Sequence, residues 1–436
     1  MDRRQFLATA SIGGAAALTV GYSQASGAEP NRAATPAGTL NRTSSWDEIK
    51  RQFETSPGMV QMTSFYLASH PKPVRDAIER HRRGLDLNSV HYIHENVARL
   101  ERAVREAASS YMGVHPDELA FTDSTTMGLG LVYSGMKLKA GQEILTDTRD
   151  HIVTTTSARY GAEQSGATLR QSPLYADPAR VSVDEVVANV RSNLRDNTRL
   201  LAVTWVHSGT GVKMPISRIA EVVRAHNRGK SAEERTLLAV DGVHGFGIEN
   251  VAIPELGADF FIAGTHKWLT GPRGTGLIWG RNDAWPFVQA TIPSFDRAWR
   301  DGPIEQMPLA AIHTPGGFHS FEHRWALAEA FKFHSAIGKD RIATRIHHLN
   351  SLAKKQMAKL PKVQLHTPMS SELSAGIIAF EVAGINPEQV VDKLHANGVI
   401  ASETPGFYRP SLARVAPSLL TTESDVDRTV RAIAAL

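Results

Sequence analysis

The 436-residue chain contains no cysteine. A disulfide, a thiolate-bound zinc and a thiol nucleophile are therefore all excluded. An excess of charge of one sign is also lacking. Lys and Arg number 48 against 44 for Asp and Glu, a formal charge of +4. Spread over this length, that excess does not make the basic footprint of a nucleic-acid-binding protein. There is no internal repeat and no long hydrophobic run. The early apolar stretch from Ala8 to Val20 is too short and too polar to span a bilayer. What remains is 42% hydrophobic and 21% charged, an ordinary globular composition that excludes disordered, collagenous and low-complexity classes. The length allows one large domain or two to three smaller ones.

The chain starts with an address. Met1-Asp2-Arg3-Arg4-Gln5-Phe6-Leu7 is a charged head; the Ala/Gly-rich run follows, and Ser26-Gly27-Ala28 is a small-residue exit that would leave Glu29 at the new N-terminus. This order describes a signal peptide over residues 1–28, and the paired arginines before Phe-Leu resemble a twin-arginine (Tat) export signal. The expected location is the periplasm, with the Tat machinery as a partner. That route carries folded proteins, so it suits one that acquires a cofactor before it leaves the cytoplasm. Residues 29–45, rich in Ala, Thr, Pro, Asn and Ser, read as a flexible lead.

From there helices and strands alternate. Pro71 and Pro73 open a helix with Val74, Ala77 and Ile78 inward, and a second helix runs from about Asn96 to Tyr111 with Val97, Leu100, Val104 and Ala108 on one face. Strands are expected at Glu143–Thr146, Arg199–Val206, Thr236–Val240, Phe260–Ala263 and Thr275–Trp279. Helices are expected at Val183–Leu194 and Pro215–His226. Continuous apolar strands alternating with helices argue for an α/β fold with a mainly parallel sheet covered on both faces. After Phe318 the pattern changes. Trp325–Leu360 is helical with a break at Gly338. Strands follow near Val363–Leu365 and Gly376–Val382, then a helix from Asn386-Pro387, a strand near Arg414–Ala416 and a last helix capped by Thr422. The expected organisation is a large domain over residues 46–320 and a small α+β domain over residues 321–436.

The chemistry gathers where strands end. Asp259-Phe260-Phe261-Ile262-Ala263-Gly264-Thr265-His266-Lys267-Trp268-Leu269 carries one lysine at the end of an apolar strand, followed by Gly271, Gly274 and Gly276. A lysine held there loses solvation as an ammonium, and its amine becomes the better nucleophile needed to condense with a carbonyl. The bland alternative is a lysine that snorkels to water. Asp241 ends the neighbouring strand, where open α/β sheets bind ligands; it can pair with a protonated pyridine nitrogen or serve as a turn carboxylate. Thr122-Asp123-Ser124-Thr125-Thr126-Met127-Gly128 precedes a helix-like run, so Ser124, Thr125 and Thr126 can be an anion site or an ordinary cap. His151, after Asp150, offers a flat ring. Arg414, inside Leu412-Ala413-Arg414-Val415-Ala416-Pro417, wants a carboxylate, internal or brought by a substrate. His91 and His94, three apart, lack a third ligand, so no metal is expected; they could line a substrate entrance. His347-His348 reads as solvated helix surface, while His313, His319 and His323 flank the Gly316-Gly317 turn and could serve a substrate pocket.

These residues resemble a known family. The run from Thr265 to Gly276, THKWLTGPRGTG, is similar to the cofactor-lysine segment of class V aminotransferases, above all their isopenicillin-N-epimerase-like branch. Asp241-Gly242-Val243-His244, Ser124-Thr125-Thr126 and Ala413-Arg414-Val415-Ala416-Pro417 fall in the expected order, and the likeness covers about residues 46–436. It implies fold-type I architecture with a seven-stranded sheet, a homodimer with active sites at its interface, and pyridoxal 5′-phosphate (PLP) held by Lys267. It further implies that Asp241 holds the pyridine nitrogen and that His151 stacks on the ring. Ser208 and His244 would lie near its phenolic oxygen. Ser124, Thr125, Thr126 and His266 would approach the phosphate, Arg414 the substrate carboxylate, and Gly316 and Gly317 the neighbouring subunit's phosphate. The related cysteine desulfurases use a mobile cysteine, which this chain lacks. Amino-group transfer, epimerisation and elimination remain open. Tat-exported PLP enzymes that modify the pyoverdine siderophore share the combination of signal and fold, which points to tailoring of a small-molecule or peptide amine. The alternative from another class is an exported binding protein that kept the fold without the chemistry, against which the Lys267 and Asp241 pair argues. Fractionation of cells with intact export should find the mature chain outside the cytosol; finding it inside would contradict the address read at Arg3-Arg4.

Overall fold

The computed structural model describes residues 40–295, 307–406, 408 and 410–436. The expected signal sequence, residues 1–28, and most of the expected lead lie outside the described residues. After a short helix at Trp46–Lys50, capped by Ser45, the helices relevant here are α1 (Lys72–Met112), α2 (Thr125–Gly135), α3 (Ile152–Ser165), α4 (Val183–Asn193), α5 (Ile216–His226), α6 (Phe321–Ile337), α7 (Lys339–Met357), α8 (Pro387–Ala396) and α9 (Glu423–Ala434). The two helices expected before residue 112 are one element, α1, with Asn88 (φ −159°, ψ 83°) as a non-helical kink between them. Gly338, at φ +100°, separates α6 from α7; a side chain there would be strained, so glycine breaks the helix. Thr422 caps α9 through the Asp425 N–H, as its spacing suggested.

The strands are β1 (Val60–Gln61), β2 (Leu119–Thr122), β3 (Glu143–Asp147), β4 (Thr168–Ser172), β5 (Thr198–Thr204), β6 (Leu237–Asp241), β7 (Phe260–Gly264), β8 (Gly276–Gly280), β9 (Val363–Leu365), β10 (Ile378–Val382), β11 (Val399–Ile400), β12 (Ser402–Glu403) and β13 (Ala413–Val415). The seven-stranded sheet has the order β2-β8-β7-β6-β5-β3-β4. Strands β4, β3, β5, β6 and β7 pair in parallel, and β8 runs antiparallel to both neighbours. Alternate residues of the inner strands are buried on opposite faces. Leu201, Val203, Val240 and Phe261 pack on one side, and Leu200, Ala202, Ala239 and Ile262 on the other. That double burial is why these strands read as unbroken apolar runs. The edge strand β4 is half exposed and polar, so no run announced it. Strand β2 and helix α3 likewise went without a sequence expectation.

A second, four-stranded sheet of order β12-β13-β10-β9 is antiparallel, and β1 pairs with β11. Residues 40–436 form one compact unit. Helix α6 packs on α1 through aromatic contacts, with Tyr111 against Phe331 and the Trp325 indole N–H donating to Glu101. Among the described residues no helix is long and apolar enough to cross a membrane.

The architecture places the C-terminal ends of β2, β3, β5, β6 and β7 on one edge of the sheet. Close approach holds β6 to β7 at that edge. A Cβ on Gly242 would meet the Phe261 ring at 2.1 Å. Gly242→Ala is therefore expected to cost about 1–3 kcal/mol through overpacking, read as a lower urea midpoint of the cofactor-free protein. An unchanged midpoint would contradict this packing.

Candidate active site

The loops that follow these strand ends enclose a cavity of about 200 Å³, lined by Ser124, Thr125, Thr126, His151, Val153, Thr204, Ser208, Asp241, Val243, His244, His266 and Lys267. This is the crevice where open α/β sheets hold ligands. It joins residues from five separate loops that sequence could only name one at a time.

Lys267 follows β7 in a tight turn. The Thr270 N–H donates to the Lys267 carbonyl at 2.9 Å. Thr270 itself has φ +56°, a left-handed conformation that costs a β-branched residue energy. The Lys267 side chain lines the cavity and is otherwise enclosed. Its Nζ lies 3.4 Å from His244 Nε2, and among the described residues it has no ion-pair partner. Burial lowers its pKa from 10.5 to about 8; the Asp241 charge opposes this, and the Arg414 charge adds to it.

Asp241 is buried at the end of β6, beside Ile262 of β7, and its Oδ1 accepts the Val243 N–H at 3.1 Å. Burial raises its pKa from 3.8 to about 6, against the pull of that N–H and of Lys267. Three histidines border the cavity as neutral rings. Burial first, then the Lys267 charge, lowers His151 to about 4, His244 well below its usual value, and His266 in the same direction. His244 Nδ1 and His266 Nδ1 are buried polar atoms without a protein partner. His151 caps α3 with its Nδ1 accepting the Val153 N–H. Asp150, named in the sequence without a role, pins that loop: its Oδ1 accepts the Thr204 N–H at 3.1 Å and its Oδ2 the Asp147 N–H at 3.0 Å.

The start of α2 supplies the anion end. The Ser124 hydroxyl accepts the Met127 N–H as the helix cap, and the Thr125 hydroxyl accepts the Gly264 N–H at 2.7 Å. Both hydroxyls are thereby engaged as acceptors, and each keeps its O–H to donate. They line the cavity beside the helix start, whose Thr125 and Thr126 N–H groups have no carbonyl to reach within the helix, and the exposed Thr126.

Arg414 stands behind this wall. It is buried, and among the described residues it meets no carboxylate. It donates to the Ser208 carbonyl (3.0 Å) and hydroxyl (2.9 Å), the Ser402 hydroxyl (3.2 Å) and the Glu403 carbonyl (2.5 Å), and it lies over the Phe65 ring at 4.8 Å. Its Nε has no partner. Burial lowers its pKa to about 10.

Several expected residues are elsewhere. His91 and His94 sit exposed on α1, His91 paired with Glu95 at 3.0 Å, and the structure does not bring them to this cavity. Gly316 and Gly317, expected at a neighbouring subunit's phosphate and not at this chain's own, lie in a turn that packs on Phe295, with the Gly316 N–H donating to the Pro293 carbonyl. His347 is not solvated surface: it is partly buried and bonded to Glu249 at 3.0 Å, while His348 pairs with Glu423. His313 is buried between two carbonyls, and His323 bonds the Arg273 carbonyl. Among the described residues no three His, Asp or Glu side chains are grouped to hold a metal ion. Thr204, and Tyr408, whose ring meets that of His151 from outside the cavity, were not foreseen. Thr204 ends a parallel strand and could have been found by that rule; Tyr408, in the turn after Pro405-Gly406, carried no periodic signal.

Fold and cavity together define a fold-type I α/β enzyme with a lysine at its cofactor site. The chain belongs to the class V aminotransferases, whose family pattern it matches over residues 68–428. It is 26% identical over 413 residues to an isopenicillin N epimerase of Streptomyces clavuligerus, covering 90% of this chain and 98% of the relative. Among solved structures it is similar to C-DES with glycine covalently linked to its PLP cofactor, with a TM-score of 0.79 at 20% identity over 88% of this chain and 98% of that one. It is also similar to a cysteine desulfurase from Thermococcus onnurineus NA1, with a TM-score of 0.76 at 18% identity over 89% and 97% of the two chains. The cofactor is pyridoxal 5′-phosphate, and the residues present fit it: a helix start for a phosphate, a buried carboxylate for a pyridinium nitrogen, an enclosed amine, and imidazole nitrogens left without protein partners.

In the cofactor-free protein, the Lys267 shift has a definite sign. The unfolded chain holds this proton up to pH 10.5, and the folded chain releases it near 8. Between those values the unfolded state binds more protons, so this lysine's contribution to stability rises with pH. Lys267→Met should flatten that rise in urea titrations; an identical pH dependence in both proteins would contradict the burial of a strained amine.

Proposed function

We propose that the chain is an exported enzyme that removes or exchanges the amino group of an amino acid or peptide-linked residue, tailoring a siderophore of the pyoverdine type or a similar secondary metabolite. The observation that carries this reading is the enclosed Lys267 amine sharing one cavity with Asp241. Bound PLP supplies an electron sink that draws charge away from a substrate's α-carbon. The chain's own residues do the rest. Asp241, buried in the same cavity as the amine, stabilises a positive charge on a ring nitrogen and so keeps that sink effective. Lys267, poised near neutral pH, carries a proton to and from the α-carbon. His151, a neutral flat ring whose Nδ1 accepts the Val153 N–H, is suited to stack on an aromatic cofactor. Thr126 and the α2 N-terminus hold an anion. Arg414, a buried cation served only by neutral oxygens, favours a substrate carboxylate close to Ser208.

The paired Arg3-Arg4 supports export, and a homodimer is part of the same proposal. Desulfuration by the usual route is disfavoured, since a chain without cysteine cannot carry sulfur on a mobile thiol. Epimerisation is the second reading, favoured by the likeness to isopenicillin N epimerase. Candidate amines incubated with the holoenzyme in deuterated water separate the two. Mass spectrometry should show loss of the amine as a keto product. Deuterium at the α-carbon with nitrogen retained would replace transfer by epimerisation, and neither exchange nor amine loss would contradict both.

A further inference from the structure

A second cavity, of about 420 Å³, has walls next to those of the first. Its walls include Arg149, Gly209, Thr210, His366, Tyr408 and Leu412. The two cavities share their partition. Arg149 is two residues from His151, and Gly209 follows Ser208. The Tyr408 ring meets the His151 ring with centroids 6.2 Å apart at 64°. Gly209 is what lets Tyr408 lie so close, because a Cβ there would come within 2.8 Å of the ring.

The charges around this second space are uneven. Arg180 is paired with Asp177 at 3.7 Å and His366 with Glu381 at 2.9 Å. Among the described residues Arg149 makes no ion pair, although its charge acts through space on the buried Asp147. Its Nη1 and Nη2 donate to the carbonyls of Tyr175 (2.7 Å) and Ala176 (2.6 Å), and its guanidinium lies 4.6 Å over the Tyr175 ring. Asp147, two residues earlier, takes the Arg149 backbone N–H at 3.0 Å and faces His207 at 3.9 Å. A half-buried guanidinium that, among the described residues, hydrogen-bonds to neutral acceptors, at the wall of a cavity large enough for a ligand fragment, favours an anion.

We propose that this cavity is a distal subsite of the amine site, holding the side-chain extension of a substrate whose far end carries a carboxylate for Arg149. The proposal rests on the amine-site reading given above. When the substrate's amine and α-carboxylate are engaged near Lys267 and Arg414, a longer molecule extends through its side chain, and the adjoining space lies just past Ser208 and His151.

The test uses holoenzyme and follows the cofactor's visible band. It is titrated with L-glutamate, with the tripeptide γ-glutamyl-alanyl-glycine, and with that tripeptide's C-terminal amide. The quantity read is the ratio of the apparent Kd of glutamate to that of the peptide. A charge-assisted pair at Arg149 should make it about tenfold for the tripeptide and near one for the amide. In Arg149→Gln and in Ala179→Trp the tripeptide ratio should fall to near one. Ala179 is an exposed wall residue, so a tryptophan there fills the cavity without entering the core. A ratio near one in the unaltered protein, or one unchanged in both variants, overturns the subsite, while a spectral response to glutamate leaves the amine site standing. A protein with no visible band overturns both.

Discussion

Desolvation of one amine organises the site. Taking an ammonium out of water costs several kcal/mol unless an opposite charge is in contact. Among the described residues Lys267 has no such contact; its Nζ lies 3.4 Å from a neutral imidazole. Asp241 offsets part of the cost through space but is itself pushed up by burial. The result is a lysine able to give up its proton near neutral pH, next to a carboxylate buried where it can answer a cation. The surrounding histidines follow from the same cause. With little water, with Lys267 nearby and, at 151 and 244, with Arg414 as well, an imidazolium at 151, 244 or 266 is disfavoured, so the rings stay neutral.

The scaffold makes that burial possible by concentrating strand ends. Five strands of the large sheet end at one edge, and each hands one loop to the cavity. The loops are fixed by hydrogen bonds rather than by side-chain bulk. Asp150 ties the His151 loop to the start of the turn after β5, Thr125 ties the α2 start to β7, and Thr270 closes the turn carrying Lys267. Ser208 links the cavity to Arg414, so the small antiparallel sheet, through β13, touches the same site as the large one.

Much of this was legible because doubly buried strands write continuous apolar runs, and a charged residue that ends such a run stands out. Lys267 and Asp241 are of that kind, and their strands pair directly, as their similar positions suggested. Edge strand β4 was not legible, since one solvated side leaves a polar sequence, TLRQS. The hydroxyls of Ser124 and Thr125 line the cavity, but sequence could not show that each also accepts a protein N–H. His91 and His94 share a helix face by spacing alone, and spacing does not say which way that face turns. Arg414 was legible as a buried cation in need of a partner; that its protein partners are all neutral oxygens emerged only from packing.

The most direct test of an enclosed, condensing amine at position 267 is borohydride treatment of the holoprotein followed by peptide mapping. A stable pyridoxyl adduct should be recovered on the peptide containing Lys267. Recovery of that peptide unmodified, with the cofactor released intact, would contradict the assignment on which the site rests.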